Sequence, residues 1–306
     1  MKHVAVLCGG DSKEREVSLR SGRAVCDALN EAGFTAELFD IKTLGEAEKV
    51  KGFDGAFIAM HGDWGENGDL QARLEELGIP YTGSGPRASA LAMDKERAQA
   101  LFAQNGIPVP ESLTWPVNCG EVVAKLGRDV VVKPSSGGST VGITIIHGAT
   151  DELLRQAAET ASASYEGDVF IERYIGGREL TCAVWEHDGR TEALPVIEID
   201  PHTGFYDYKN KYTKGATEYL VPAPISPGES EKVRALAVKA HEVLRCSGYS
   251  RADFRLTPEG EAYILEVNTA PGMTATSLVP KAAGAVGVSM PEFVSAIMNM
   301  ASLGKS

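Results

Sequence analysis

Two alternating stretches, Arg251–Leu256 and Glu261–Val267, flank the turn Thr257-Pro258-Glu259-Gly260. Alternation on both sides of a Pro/Gly turn predicts a β-hairpin with a four-residue loop, which commits this part of the chain to an antiparallel sheet. If the loop sets the register, Leu256 faces Glu261, Asp253 faces Ile264 and Arg251 faces Glu266. Side chains alternate along a strand, so Phe254, Leu256, Tyr263, Leu265 and Val267 are expected on one face. Arg251, Asp253, Glu266 and Asn268 are expected on the other. One face is a core, and the other collects two carboxylates, an amide and a guanidinium.

Packing like charges this closely is unfavourable unless a cation neutralises them. Three oxygen donors without Cys or His suit a hard cation such as Mg²⁺, which keeps waters and shares phosphate oxygens. A solvated hairpin face with ordinary charge pairs is the alternative. The segment that follows favours the site, because a glycine-containing loop, Asn268 to Ser277, offers backbone donors where an oxyanion could sit.

A net charge of −12 over 306 residues argues against duplex nucleic acid or an anionic membrane as partner, but allows a local basic nucleotide pocket. Hydrophobic content of 43% and charged content of 24% suit a soluble globular protein of two or three domains. Cys8, Cys26, Cys119, Cys182 and Cys246 are scattered without a Cys-x-x-Cys pair, which suggests neither a disulfide framework nor a zinc site. The opening Met1-Lys-His-Val-Ala-Val-Leu-Cys8 reads as a strand rather than a signal peptide. No run reaches membrane-spanning length, so a cytoplasmic protein is expected.

Val4–Cys8 ends in Gly9-Gly10 and leads into a helix from about Ser12, with Val17, Ala24, Val25, Ala28 and Leu29 on its apolar stripe and Gly33 at its end. Strands at Ala36–Phe39 and Gly55–Met60 complete a βαβ-like start. Gly9-Gly10-Asp11-Ser12-Lys13 lacks the third glycine of a dinucleotide fingerprint. Asp11-x-x-Glu14 fits a helix capping box, and the competing reading of Glu14 is a carboxylate that binds a substrate ammonium. His61-Gly62 follows a strand at its carboxyl end, where α/β sites form, although a single histidine is more often structural.

A helix from about Ser89 to Gln104 carries Lys95, and a helical lysine is ordinarily solvated. Val130–Lys133 is a buried-looking strand that runs through Pro134 into Ser135-Ser-Gly-Gly-Ser-Thr-Val-Gly142 and a second strand, Ile143–His147. Strand, glycine-rich turn and strand make a flap over phosphates, with Lys133 as the cation at its base. It is not a P-loop, since Gly-x-x-x-x-Gly-Lys-Ser/Thr is absent. The plain alternative is a Gly/Ser hairpin loop. A helix at Asp151–Tyr165, a strand at Val169–Arg173, a loop at Ile175–Glu179 and strands at Leu180–Trp185 and Leu194–Ile199 follow. The polar, tyrosine-rich segment from Pro201 to Pro224 has the length of a functional loop. Lys211 could reach a transferring phosphate there, and Tyr212 could close on the flap. A long amphipathic helix, about Glu229 to Arg245, leads to the hairpin.

Taken in order, Glu14-Arg-Glu-Val-Ser-Leu19, His61-Gly62, Met93-Asp94-Lys95, Lys133-Pro134, the glycine-rich flap, Lys211-Tyr212, Arg251-Ala-Asp253, Glu266-Val-Asn268 and Ser277-Leu278 resemble the ATP-grasp ligases, most closely the D-alanine–D-alanine ligase family. The resemblance spans essentially the whole chain. It implies an α/β, three-domain ATP-grasp fold. Residues 1–86 would be a Rossmann-like domain with the first D-alanine site, 87–174 a central subdomain with the nucleotide flap, and 175–306 a C-terminal subdomain with the metal, the lysine-tyrosine loop and the second D-alanine site. It also implies ATP-dependent joining of two D-alanines through a D-alanyl phosphate, for peptidoglycan precursor synthesis, by a cytoplasmic homodimer.

The same resemblance assigns roles. Glu14 would grip the amino group of the first D-alanine, with His61 beside it. Lys95, Lys133, Lys211 and Ser139 would contact ATP, and Glu172 and Glu179 the adenine amino group and ribose hydroxyls. Asp253, Glu266 and Asn268 would hold two Mg²⁺ ions, for which Mn²⁺ could substitute. Ser277 and Leu278 would orient the second D-alanine, Arg251 and the Gly272 backbone would stabilise the tetrahedral oxyanion, and Tyr212 would bond Ser139 and Glu14. Two departures stand out: the flap reads Ser135-Ser-Gly-Gly-Ser where relatives carry charge, and Thr276 stands where they often have histidine. A ligase using D-lactate or D-serine is one rival, which Lys211-Tyr212 disfavours. A dinucleotide-binding or nucleotide-sensing protein is the other, and the missing fingerprint and complete metal triad count against it.

Overall fold

The computed structural model describes residues 2–138, 140–165, 167–201 and 217–305. Ser139, Lys211 and Tyr212 lie outside the described residues. Three sheets carry the described chain. The first is parallel: β1 (His3–Gly9), β2 (Thr35–Ile41) and β3 (Gly55–Ile58) stand in the order β2-β1-β3, with α1 (Arg15–Glu31) as the crossover between β1 and β2. Its central strand is buried on both faces, which is why Val4–Cys8 reads as an unbroken apolar run. Ala5 and Leu7 pack against Leu70 and Leu74 of α2 (Asp69–Leu77).

The second sheet is antiparallel, in the order β4 (Ser112–Thr114), β7 (Val169–Arg173), β5 (Asp129–Pro134), β6 (Thr144–His147). It packs on α5 (Cys119–Leu126) and α6 (Asp151–Ser164), which bury Val122, Leu126, Leu154, Ala157 and Ala161 against Val130, Val132 and Ile171. Thr150 starts α6 by accepting from the Leu153 N–H.

The third sheet runs β11 (Thr217–Leu220), β10 (Ile197–Pro201), β8 (Arg178–His187), β12 (Tyr249–Leu256), β13 (Ala262–Asn268), with β9 (Arg190–Ala193) also paired to β8. One face is covered by α3 (Pro86–Met93), α4 (Lys95–Gln104) and α7 (Pro227–Val243). Beyond β13 the chain forms α8 (Leu278–Ala285) and α9 (Met290–Asn299). Phe293, Val294, Ile297 and Met298 of α9 then join Val4, Val6, Val25 and Leu29 in one core, so the end of the chain clamps the first sheet to the third. Both α7 and α9 open with complete capping boxes, Ser226 with Glu229 and Ser289 with Glu292.

Several local expectations are corrected. In the hairpin, Leu256 pairs with Ala262, Phe254 with Ile264, Asp253 with Glu266 and Arg251 with Asn268, and the register shifts between Asp253 and Phe254. Leu265 is the extra residue of a β-bulge, so Tyr263 and Leu265 leave the expected core face, and Ala262 and Ile264 take their place there. The helix expected over Ser89–Gln104 is two helices, because Asp94 is extended (φ −85°, ψ 94°) and caps α4 through the Arg97 N–H. The capping box at Asp11 and Glu14 does not form, since Asp11 accepts from the Trp64 indole (2.7 Å) and Glu14 makes no capping bond. Arg178 and Glu179 lie in β8 rather than in a loop, and β10 begins at Ile197.

Candidate active site

A cavity of about 740 Å³ opens where the three sheets meet, within the range typical of small-molecule sites. Glu14, His61, Lys95, Lys133, Glu172, Glu179, Arg251, Asp253, Glu266, Asn268, Gly272, Ser277 and Leu278 all line it. These are all the residues singled out in the sequence that fall among those described. Glu14 and His61 come from the segments that follow strands of the first sheet, Lys133 and Glu172 from the second sheet, Glu179 and the hairpin residues from the third, and Lys95 and Leu278 from the starts of α4 and α8.

The floor is the polar face of the β12–β13 hairpin. Arg251 donates through Nε and Nη2 to the two oxygens of Asp253 (2.9 and 2.8 Å), and Thr181 Oγ1 donates to the same carboxylate (2.5 Å). Glu266 lies directly across from Asp253. Lys95 Nζ stands 3.2 Å from Glu266 Oε2 and donates to the Gly137 carbonyl (2.5 Å). The lysine is thus buried rather than solvated, because the break at Asp94 makes it the first residue of α4. Asn268 Oδ1 accepts from the Ala270 N–H (2.8 Å) and turns the chain into the next loop.

No group of three or more His, Cys, Asp and Glu side chains among the described residues is placed to hold a metal by itself. Two carboxylates and an amide on one sheet face nevertheless fit a hard divalent cation that takes its remaining ligands from phosphate and water. The bulge makes that fit better than regular pairing, because it lines up Asp253 with Glu266. Both Asp253 oxygens already face Arg251, which balances the carboxylate charge within the protein.

Further in, Lys133 Nζ pairs with Glu172 Oε1 at 2.8 Å, both side chains about 5% exposed or less. Gln99 Nε2 donates to the other Glu172 oxygen and to the Leu265 carbonyl (both 3.1 Å), which ties this pair to the bulge. Arg255 bonds Glu179 (3.3 Å) and the carbonyls of Ile175 and Gly177. The turn between β5 and β6 is the expected strand–glycine turn–strand arrangement.

At the first-sheet side, Glu14 Oε2 lies 2.9 Å from where a Gly62 Cβ would stand and 3.2 Å from a Cβ at Gly138. His61 is buried: Nδ1–H donates to the Ala270 carbonyl (2.9 Å), Nε2 accepts from the Ser21 hydroxyl (2.8 Å), and Ser21 Oγ accepts from the Met273 N–H (3.1 Å). This chain stitches α1, the loop after β3 and the loop after β13 together. Beside it, burial pushes the Glu66 carboxyl up, the charge of Glu14 pushes the same way, and His61 acts against both. Asp63 is raised by burial, with Asp11 and Glu14 close by. The mouth is therefore crowded with carboxylates, which favours an ammonium group. In the loop after β13, a Cβ at Gly272 would be 2.9 Å from Ser277 Oγ, so a side chain there would displace Ser277. Ser277 Oγ in turn accepts from the Thr274 N–H (3.0 Å).

The sequence reading missed Glu66, Arg255, Tyr219 and Lys281, all of which line the cavity. Arg255 was within reach of the same alternation that places Arg251 and Asp253 on one face, and Tyr219 lies in the Pro201–Pro224 segment already marked by its length and tyrosines; Glu66 and Lys281 carry no local signal. Burial pushes the thiols of Cys8, Cys182 and Cys246 up to about 12, which removes them as nucleophiles near neutral pH. Among the described residues, no helix is long and apolar enough to cross a membrane.

A glycine-rich turn over a cavity lined by both cations and carboxylates between two antiparallel sheets, beside a parallel βαβ unit, is the ATP-grasp architecture. Residues 104–299 match the family model described as the D-ala D-ala ligase C-terminus. The D-alanine–D-alanine ligase of Cupriavidus taiwanensis is 45% identical over 98% of this chain and 92% of its own length. That of Anaeromyxobacter sp. (strain Fw109-5) is 46% identical, over 99% of this chain and 97% of its own. Among solved structures, the Bacillus anthracis D-alanine–D-alanine ligase complexed with ATP aligns with a TM-score of 0.83 at 32% identity, over 98% of this chain and 96% of that one. The VanG D-Ala:D-Ser ligase of Enterococcus faecalis also aligns with a TM-score of 0.83 at 32% identity, over 98% and 99%. The chain belongs to the D-alanine–D-alanine ligase family.

Proposed function

We propose that this protein joins two molecules of D-alanine to D-alanyl-D-alanine at the expense of ATP, releasing ADP and phosphate, as a step in building the bacterial cell wall. The observation that carries the reading is the convergence of Glu14, Lys133, the glycine-rich turn and the Arg251–Asn268 hairpin on one cavity. The carboxylate of the first D-alanine attacks the γ-phosphate of ATP and becomes an acyl phosphate. The amine of the second D-alanine then attacks its carbonyl, forming the C–N bond and expelling phosphate.

Glu14 holds the ammonium of the first D-alanine, in keeping with the acidic mouth of the cavity. Lys95 and Lys133 supply fixed positive charge toward the phosphates, and Glu172 and Glu179 reach the adenosine. Asp253, Glu266 and Asn268 would hold Mg²⁺, two ions by family resemblance with Mn²⁺ as a substitute; when bound, the cation neutralises charge on the terminal phosphates. Ser277 and Leu278 orient the second D-alanine, and Arg251 with the Gly272 backbone faces the oxyanion of the addition step. Ser139, Lys211 and Tyr212 belong to the same reading by resemblance, as closing contacts over the phosphates. The division at 86 and 174 is part of the proposal, supported by the confinement of each sheet to one of the three ranges. A cytoplasmic homodimer is likewise proposed from the family.

Phosphate release from Mg-ATP is to be measured with D-alanine, with L-alanine, and with D-alanine plus D-lactate or D-serine, and the product identified. Release with D-alanine alone, matched by dipeptide and absent with L-alanine, is the expected result. Tight ATP binding without dipeptide from any pair would overturn it. Within that assay, Glu14→Gln is expected to raise the D-alanine concentration needed at the first site about ten- to a hundredfold, the worth of a charged hydrogen bond, with ATP affinity nearly unchanged. Equal losses for both substrates would remove Glu14 from that role.

A further inference from the structure

The glycine-rich turn between β5 and β6 is seated at both ends on the C-terminal end of α6, at its last residue Ser164 and its capping residue Tyr165. Gly137 has φ +106°, and a Cβ there would lie 2.5 Å from the Tyr165 ring. Gly142 has φ +79°, and a Cβ there would lie 2.8 Å from Ser164 Cβ. Between these contacts the Tyr165 hydroxyl donates to the Gly138 carbonyl (3.3 Å) and accepts from the Gly138 N–H (3.4 Å). Lys95 also donates to the Gly137 carbonyl. Tyr165 does not line the cavity itself. Its ring faces Lys13 of the first-sheet side, with Nζ 6.0 Å from the ring centroid.

We propose that Tyr165 is a positioning residue for the reaction: its ring and hydroxyl fix the height of the Gly137–Gly138 peptides above the phosphates. The inference rests on the ATP-dependent ligase reading. Glycines at positive φ move at little steric cost, so the turn needs an external support to hold one geometry. Tyr165 supplies it in two ways. The ring fills the volume that any side chain at position 137 would need, and the hydroxyl engages both polar groups of Gly138. A roof held in place matters because the acyl phosphate has two fates. Attack by the second amine forms the C–N bond and expels phosphate, whereas attack by water regenerates the D-alanine carboxylate and expels phosphate without dipeptide. The ratio of phosphate released to dipeptide formed therefore reports how well the roof excludes water.

Tyr165→Phe keeps the ring and removes the hydroxyl. The expected result is an ATP KM raised about fivefold, the worth of one ordinary hydrogen bond, with phosphate released in excess of dipeptide and an unchanged Tm. Tyr165→Ala is expected to widen the excess. A wild-type ATP KM and a phosphate-to-dipeptide ratio of one in Tyr165→Phe would overturn the proposal. So would a lowered Tm with lowered activity at an unchanged ratio, which is what a purely structural tyrosine gives. Wild-type protein that forms no dipeptide would instead overturn the ligase reading on which the proposal stands.

Discussion

Lys133→Met is expected to destabilise the fold by about 3–5 kcal/mol and to abolish measurable ATP binding, because it leaves Glu172 as an uncompensated buried carboxylate. The two side chains are almost entirely excluded from water, so solvent cannot take over the role of the missing ammonium. The second Glu172 oxygen depends on Gln99, which also holds the Leu265 carbonyl at the bulge. Loss of the ion pair therefore reaches the hairpin that carries Asp253 and Glu266. The double variant Lys133→Met/Glu172→Leu separates the two effects. Replacing both partners of a buried pair with apolar groups is often close to neutral, so urea unfolding should recover most of the lost stability. Calorimetric titration with Mg-ATP should recover nothing. Recovery of both stability and ATP affinity in the double variant would assign the pair to packing alone.

What could be read in the sequence follows from the range of the forces involved. The hairpin was legible because alternation is a local rule, and it placed Arg251, Asp253, Glu266 and Asn268 on one face correctly. The bulge at Leu265 was not, since no residue type demands it and the bond that engages its carbonyl comes from Gln99, far away in the chain. Lys95 shows the same limit. Its burial depends on the two-helix break at Asp94 and on carbonyl and carboxylate partners 42 and 171 positions away, whereas its local surroundings resemble those of a solvated helix. The seat of Gly137 on Tyr165 is a contact between a turn and the end of a distant helix, and nothing in either stretch announces the other. Glu14 had two readings that spacing alone could not separate. The Trp64–Asp11 hydrogen bond and the absence of a side-chain cap at the start of α1 remove the capping reading.

Arg251→Ala carries the other large effect, and its pattern distinguishes two ways in which this side chain could serve the reaction. The guanidinium is bidentate to Asp253 and lines the same cavity as Gly272. If it stabilises charge that develops on the carbonyl oxygen as the second amine adds, its removal should lower kcat by about 10²–10³-fold, the usual cost of one such donor. Binding of Mg-ATP should then change little, because the oxyanion does not exist in the ground state. If Arg251 serves only to hold Asp253 in place, the loss falls on the nucleotide, and Mg-ATP affinity and kcat/KM drop together. Arg251→Lys sharpens the test. Lysine keeps the charge but loses the fork that spans both Asp253 oxygens, so it should restore part of kcat if charge at the oxyanion is what matters. Single-turnover measurement of acyl phosphate formation against dipeptide release completes the separation. A slowed second step with an intact first step supports the oxyanion role, and slowing of the first step alone would reassign Arg251 to the support of Asp253.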